Sequence, residues 1–177
     1  MAILTGKHIK LRALEPNDLD FLFETENDES LWEISGVQTP FSKNILKIYI
    51  ENAHLDIYAA KQFRFVICDL NNSVIGLIDL YDFNPQHKRV GIGILILPKY
   101  QSMGFGKEAL SLIINYCKNY LNLHQVYASI LSENLISISL FEHFNFKKSG
   151  EKKDWIFNNG GYKDEYLYQL ILSNKNE

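Results

Sequence analysis

Apolar and polar positions alternate with a period of two over Ile9, Leu11 and Ala13, with Lys10 and Arg12 between them, and predict a first strand. Pro16 then stands where a first helical turn tolerates it. Asp18 and Asp20 come early, and Leu19, Leu22 and Phe23 share one face, so a helix follows and fades over Asn27 to Ser30. Leu31 to Phe41 holds Trp32, Gly36 and Pro40 without a clear period and reads as a loop or a short helical turn. Ser42 can cap a longer helix with Ile45, Ile48, Tyr49, Ala53 and Ile57 as its buried stripe.

The middle of the chain reads as a meander. Phe63, Phe65 and Ile67 lead to Asp69, Asn71-Asn72 turns the chain, and Val74 to Phe83 returns until Asn84-Pro85 breaks it. Val90, Ile92, Ile94 and Ile96 then alternate with Gly91, Gly93, Leu95 and Leu97 in a strand closed by Pro98. After a polar loop, Gly104-Phe105-Gly106 opens a helix whose apolar stripe is Ala109, Leu110, Ile113, Ile114, Cys117 and Leu121. It runs into a strand over Gln125 to Leu131, a parallel crossover that is right-handed if both strands share a sheet. Asn134 starts a short helix, Leu135 to Phe144, very apolar on one side. Ser149 to Phe157 and Tyr162 to Leu172 form a closing hairpin around Asn158-Asn159-Gly160-Gly161. The order β-α-α-β-β-β-α-β-α-β-β predicts an α/β (α+β) fold, a mixed sheet with helices on both faces.

Composition narrows the function. The chain has 177 residues, 46% of them hydrophobic and 13% aromatic, which suits one packed domain over residues 1–172 with a frayed tail at 173–177. A net charge of −3 gives no electrostatic footprint for nucleic acid. The N-terminal stretch alternates and carries Lys7, Lys10 and Arg12, unlike a signal peptide or anchor, and no apolar run approaches membrane length. Cys68 and Cys117 fall at apolar positions of a strand and a helix, as small core residues in a reducing compartment do, so the expected location is the cytoplasm. His8, His54, His87, His124 and His143 lack ligand spacing, and no metal site is expected. Trp32, Trp155 and Tyr162 suit either aromatic core or the walls of an acceptor pocket.

The chemistry concentrates between Arg89 and Ala109. A strand, a glycine loop and a helix start place unpaired backbone N–H groups and the positive end of a helix dipole beside a strand end, which suits phosphate. The P-loop pattern fails, because Gln101 stands five residues before Gly106-Lys107 and Glu108 follows. Gly104-Phe105-Gly106-Lys107-Glu108-Ala109 fits the dinucleotide fingerprint, with Glu133 placed as a ribose-binding acid, but Pro98 and five further residues separate Gly104 from the strand. Gln101-Ser102-Met103-Gly104-Phe105-Gly106 also matches Q/R-x-x-G-x-G/A. This resembles the acetyl-CoA pyrophosphate loop of the GNAT superfamily of N-acetyltransferases.

The resemblance extends over nearly the whole chain. Asn134 to Phe146 is similar to the family's second motif, N-x-x-S-x-x-L-Y-x-x-x-G-F, and Leu11 to Pro16 to its usual opening. The spermidine and diamine N-acetyltransferases are the most similar subgroup, followed by those acting on ribosomal-protein N-termini. It implies a GNAT-like three-layer α/β/α fold with a mixed, mostly antiparallel sheet. It also implies acetyl-CoA as co-substrate and direct transfer to a small amine, a polyamine or a peptide N-terminus. Ile94, Leu95 and Ile96 would present backbone groups to the pantetheine arm, which is peptide-like and pairs as an added strand would. The amides of Gln101, Ser102, Met103, Gly104, Phe105, Gly106 and Lys107 would hold the pyrophosphate. Asn134, Ser137 and Phe141 would meet the thiol end, and a backbone N–H near Leu95 would hold the oxyanion.

Four departures bear on mechanism. Phe141 stands where the family's tyrosine protonates the leaving thiolate, and Asn145 replaces a glycine. Gly91 stands where many relatives carry a carboxylate base, which leaves Asp79, Asp82 and Glu33 as candidates. Asp79 and Asp82 are three apart, so a regular strand puts them on opposite faces and only a bulge unites them. Gln38 and Thr39 replace acids that precede the proline of the spermidine subgroup, which counts against a polyamine. Ser137 or Ser139 can orient a water in place of the missing acid. An acyl-CoA-binding module with little or no transferase activity is the alternative. The sequence permits a homodimer and marks no interface.

Overall fold

The computed structural model describes residues 4–158 and 160–172. One sheet contains β1 Ile9–Ala13, β2 Phe63–Asp69, β3 Val74–Asn84, β4 Arg89–Ile96, β5 Gln125–Leu131, β6 Lys147–Asn158 and β7 Gly161–Ile171. Its order is β1-β2-β3-β4-β5-β7-β6; β4 and β5 are parallel and the other neighbours antiparallel. The helices are α1 Leu19–Glu26, α2 Glu29–Ser35, α3 Lys43–Glu51, α4 Ile57–Ala60, α5 Phe105–Asn119 and α6 Leu135–His143.

Strand alternation sorts β2 between two cores. Phe65 and Ile67 join Ile78, Leu80, Val90 and Ile92 under Ala109, Leu110, Ile113 and Cys117 of α5. Val66 and Cys68 join Leu77 on the opposite face, under Leu22 of α1 and Leu46 and Ile50 of α3. The result is the expected three layers. Each Leu or Ile so buried contributes about 1.5–3 kcal/mol, so Leu110 and Ile113 alone make α5 a firm anchor. Both cysteines are buried and free. Among the described residues no helix is long and apolar enough to cross a membrane.

Three expectations need correction. The stretch from Leu31 read as a loop or a short helical turn contains most of the two-turn helix α2, because the Asp28 side chain caps it at the Ser30 amide and Gly36 ends it in left-handed geometry. In α3 the Ser42 cap forms as expected, but the buried residues are Leu46 and Ile50, while Ile45 and Ile48 face solvent. The helix stops at Asn52, and Ile57 belongs to the separate α4, capped by Asp56. In α6 the apolar residues surround the axis, since Phe141 is buried while Leu135 and Ile136 are exposed. Asn159 of the closing turn and the tail 173–177 lie outside the described residues.

One feature of the sheet positions everything that follows. β4 pairs with β5 only at Arg89↔Gln125, Val90↔Val126 and Gly91↔Tyr127. β4 continues to Ile96 and stays paired with β3, and β5 continues to Leu131 and stays paired with β7. The two strands therefore diverge after Gly91, and their facing edges are left open.

Candidate active site

The gap between β4 and β5 opens into a cavity of about 410 Å³, walled by these strands, β3, α1, α2 and the start of α6. The glycine loop follows the C-terminal end of β4, and none of its residues lines the cavity. Gly104 caps α5 with φ of 87°, a left-handed conformation that costs a residue with a Cβ roughly 1–2 kcal/mol. No side chain caps α5, so its first amides, Phe105 to Lys107, point outward without a protein partner. A Cβ on Gly106 would lie 3.6 Å from Ile96 and Leu140, an ordinary packing contact. The Gln101 side chain donates to the Ile96 carbonyl at 3.1 Å and ties the loop to the strand end. The Glu108 carboxylate accepts from the His8 amide at 2.8 Å and the Ile9 amide at 3.4 Å, which fastens the N-terminal stretch to the first turn of α5. Burial opposes ionisation of Glu108, yet these hydrogen bonds outweigh it and hold the carboxyl below its usual range.

Along β4, the open edge can be read from one bond. The Leu97 amide donates to the Ile75 carbonyl at 3.0 Å, in register with the β3–β4 pairs. Alternation then turns the amide of Leu95 toward β3 and those of Ile94 and Ile96 toward the gap. The free N–H groups flank Leu95, and the oxyanion donor expected near Leu95 is better sought at Ile94 or Ile96.

Glu33, Asp79, Phe141, Ile94, Leu95, Asn134 and Ser137 all line the one cavity. Asp82 does not join them. β3 is bulged between Tyr81 and Asn84, and Asp82, with φ of 50°, accepts a hydrogen bond from the Tyr127 hydroxyl at 3.2 Å. Asp79 lies on the cavity face, but Arg64 occupies both its oxygens, at 2.7 and 2.8 Å, and also pairs with Glu26. Lys163 pairs with Glu33, keeps that carboxyl below its usual range, and reaches Glu133 at 2.9 Å. Asp79 and Asp82 thus already have hydrogen-bond partners and Glu33 an ion-pair partner, although the buried Glu33 Oε1 makes no hydrogen bond. Phe141 is 2% exposed, packed edge-on against Phe146, with nothing to donate. The Asn134 oxygen caps α6 at the Ser137 amide, 3.1 Å away, which leaves its NH₂ group for a ligand. Trp32 is absent from the cavity wall, and Trp155 and Tyr162 are exposed, so neither role considered for them applies.

Sequence reasoning missed four groups. Arg64, Glu26 and Glu165 line the cavity, where Lys152 meets Glu165 at 2.6 Å. The fourth is Tyr81, whose ring lies on the flat backbone of Gly91 and Gly93. A Cβ on Gly91 would sit 2.2 Å from that ring, and one on Gly93 3.9 Å. The Tyr81 hydroxyl accepts from the Ser129 amide of β5 at 3.3 Å, so the ring bridges the strands where they part. A glycine inside a strand signals close approach of another group, and Gly91 was that signal.

Comparison with known proteins adds relatives. Residues 8–147 match the family described as Acetyltransferase (GNAT) domain. A spermidine N(1)-acetyltransferase of Vibrio cholerae is 29% identical over 175 residues, 97% of this chain and 99% of its own. An uncharacterized N-acetyltransferase of Bacillus subtilis, derived from the SPbeta prophage, is 28% identical over 94% of this chain and 91% of its own. The crystal structure of the Vibrio cholerae spermidine N-acetyltransferase with CoA and spermine superposes with a TM-score of 0.85 at 27% identity, covering 93% and 95% of the two chains.

Proposed function

This chain belongs to the GNAT family of acetyltransferases, and from that premise we propose that its acceptor is a flexible alkylamine with several positive charges, of the spermidine kind. The reaction moves an acetyl group from acetyl-CoA to an amine. The observation that carries the choice of acceptor is the cavity wall. Glu26, Glu33, Asp79 and Glu165 line it with Arg64, and even with Lys163 and Lys152 paired to Glu33 and Glu165 the acids outnumber the cations by one, a surface that favours ammonium groups over anionic ones. The names of the relatives in Vibrio cholerae point the same way.

Acetyl-CoA brings an activated thioester. The unpaired amides of Phe105 to Lys107 are placed for its phosphates, and the open edge of β4 for its two-amide arm. The arm runs from the loop back toward Gly91, five residue steps or about 17 Å of strand from Ile96. The acceptor nitrogen enters from the carboxylate side and attacks the carbonyl carbon, whose oxygen takes a hydrogen bond from a free β4 amide. An alkylammonium of ordinary pKa near ~10.4 loses its proton first. With all three candidate carboxylates already engaged, water in the open cavity takes that proton. A reducing compartment, where Cys68 and Cys117 stay free, completes the reading with a cytoplasmic location.

The test is thiol release from acetyl-CoA with spermidine, spermine, short diamines, monoamines and peptides with free N-termini. The expected result is the highest kcat/KM with tri- and tetra-amines, falling as salt rises. Equal or better turnover with monoamines or peptides would overturn the acceptor class and leave the transferase intact.

A further inference from the structure

We propose that the Tyr81 hydroxyl is the proton donor to the thiolate that leaves when the amine displaces CoA. The inference rests on acetyl transfer from acetyl-CoA, and not on which amine accepts.

Three observations place it. First, the phenol sits where the arm must end. Tyr81 reaches across β4 to β5 at Gly91↔Tyr127, the last pair before the strands part, and it lines the same cavity as Phe141 and Asn134. Second, its proton is free. The hydroxyl oxygen accepts from the Ser129 amide, and among the described residues it donates to no acceptor, so its hydrogen is available to the cavity. Third, the local sequence is built around this ring. Gly91 lacks the side chain that would stand in its place, and the T-shaped contact with Tyr127 at 5.7 Å holds its edge. Phe141 has no proton and Gly91 no carboxylate; Tyr81 occupies the space over the second and supplies what the first lacks.

The step balances. The amine nitrogen bonds to the carbonyl carbon, the C–S bond breaks, and sulfur keeps the electron pair and takes the Tyr81 proton. The proton shed by the new amide nitrogen passes through water to the phenolate, which restores Tyr81. Burial raises the phenol above its ordinary value. The carboxylates of Glu165 and Asp82 act in the same direction, so the hydroxyl stays protonated at neutral pH. Tyr127, the Arg64–Asp79 pair, Glu26 and Glu33 are further titratable groups beside this cavity among the described residues.

Tyr81→Phe keeps the ring on its glycine floor and removes only the hydroxyl. The first measurement is CoA affinity by calorimetry on either side of the thiol's ordinary pKa of about 8.5. At pH near 7 the variant should match the wild type, and at pH near 9.5 it should bind about tenfold more weakly, having lost a hydrogen bond to a charged sulfur. The second is turnover: kcat should fall about 10²-fold with little change in KM for acetyl-CoA, and adding Phe141→Tyr should restore part of it. Equal affinity at both pH values, or equal weakening at both, would overturn the proposal, as would an unchanged kcat. A wild type that acetylates monoamines or peptides as well as polyamines, with the pH-dependent CoA difference, would retain the donor and sink the alkylamine reading, whereas a wild type inert toward every amine would overturn both.

Discussion

Charge at the cavity is held in small sets, and Arg64 is the hub of one of them. Its guanidinium keeps Glu26 and Asp79 from facing each other as bare carboxylates. Arg64→Leu should therefore cost about 2–4 kcal/mol in urea denaturation, less than a fully buried pair because both acids retain some exposure. A variant as stable as the wild type at pH 7 would show that water screens the pair. Little of this was visible in the sequence. Asp79 was marked as a candidate, and the turn at Asn71-Asn72 puts Arg64 directly opposite it, but nothing in the pattern showed that this face of the pair lines a cavity with Glu26. Tyr81 looked like one more strand aromatic until Gly91 was seen opposite it.

Elements were more legible than contacts, with instructive failures. The strand-loop-helix unit from Arg89 to Ala109 could be read because three signals coincide there: alternation, glycine spacing and the 3.6-residue stripe of α5. Lys43–Glu51 offers two apolar faces at helical spacing, Ile45 with Ile48 and Leu46 with Ile50. Only the partner surface of Leu22, Val66 and Leu77 decides between them. Propensity carries no such information. The start of α5 invites the clearest test at this scale. Gly104→Val forces a β-branched residue to φ of 87°, so it should lower stability by roughly 1–2 kcal/mol. By tilting the first amides of α5 it should also weaken acetyl-CoA by at least about tenfold in a direct binding assay. Retained affinity would mean that the phosphates are held elsewhere.

The whole molecule is two blocks of sheet, β1 to β4 and β5-β7-β6, joined by three residue pairs and the crossover helix α5. Layering and mixed strand direction follow from alternation and one parallel crossover. The insertion of β7 between β5 and β6 does not, since a hairpin can dock by either strand. Stability against acid belongs to this scale too, through the pair that ties β1 to the turn before α1. Arg12 meets the nearly buried Asp18 at 2.7 and 2.8 Å. Burial works against the Asp18 carboxylate, but hydrogen bonds from Arg12 and the Glu15 amide prevail and lower its pKa. Its contribution is therefore complete above the unfolded value of about 3.9 and is lost as pH falls through the lower folded value. Asp18→Asn should lower the melting temperature at pH 7 and flatten its fall in acid; an unchanged slope would assign acid sensitivity to other carboxylates. The divergence of the two blocks has a consequence of another kind. Val90 to Leu97 is a run without charge or proline, and β5 leaves its outer edge unpaired from Ile92 onward. Such an edge is a template on which an extended segment of a neighbouring chain can aggregate. With acetyl-CoA seated along it as proposed, aggregation on warming, followed by light scattering, should be slower than without the co-substrate.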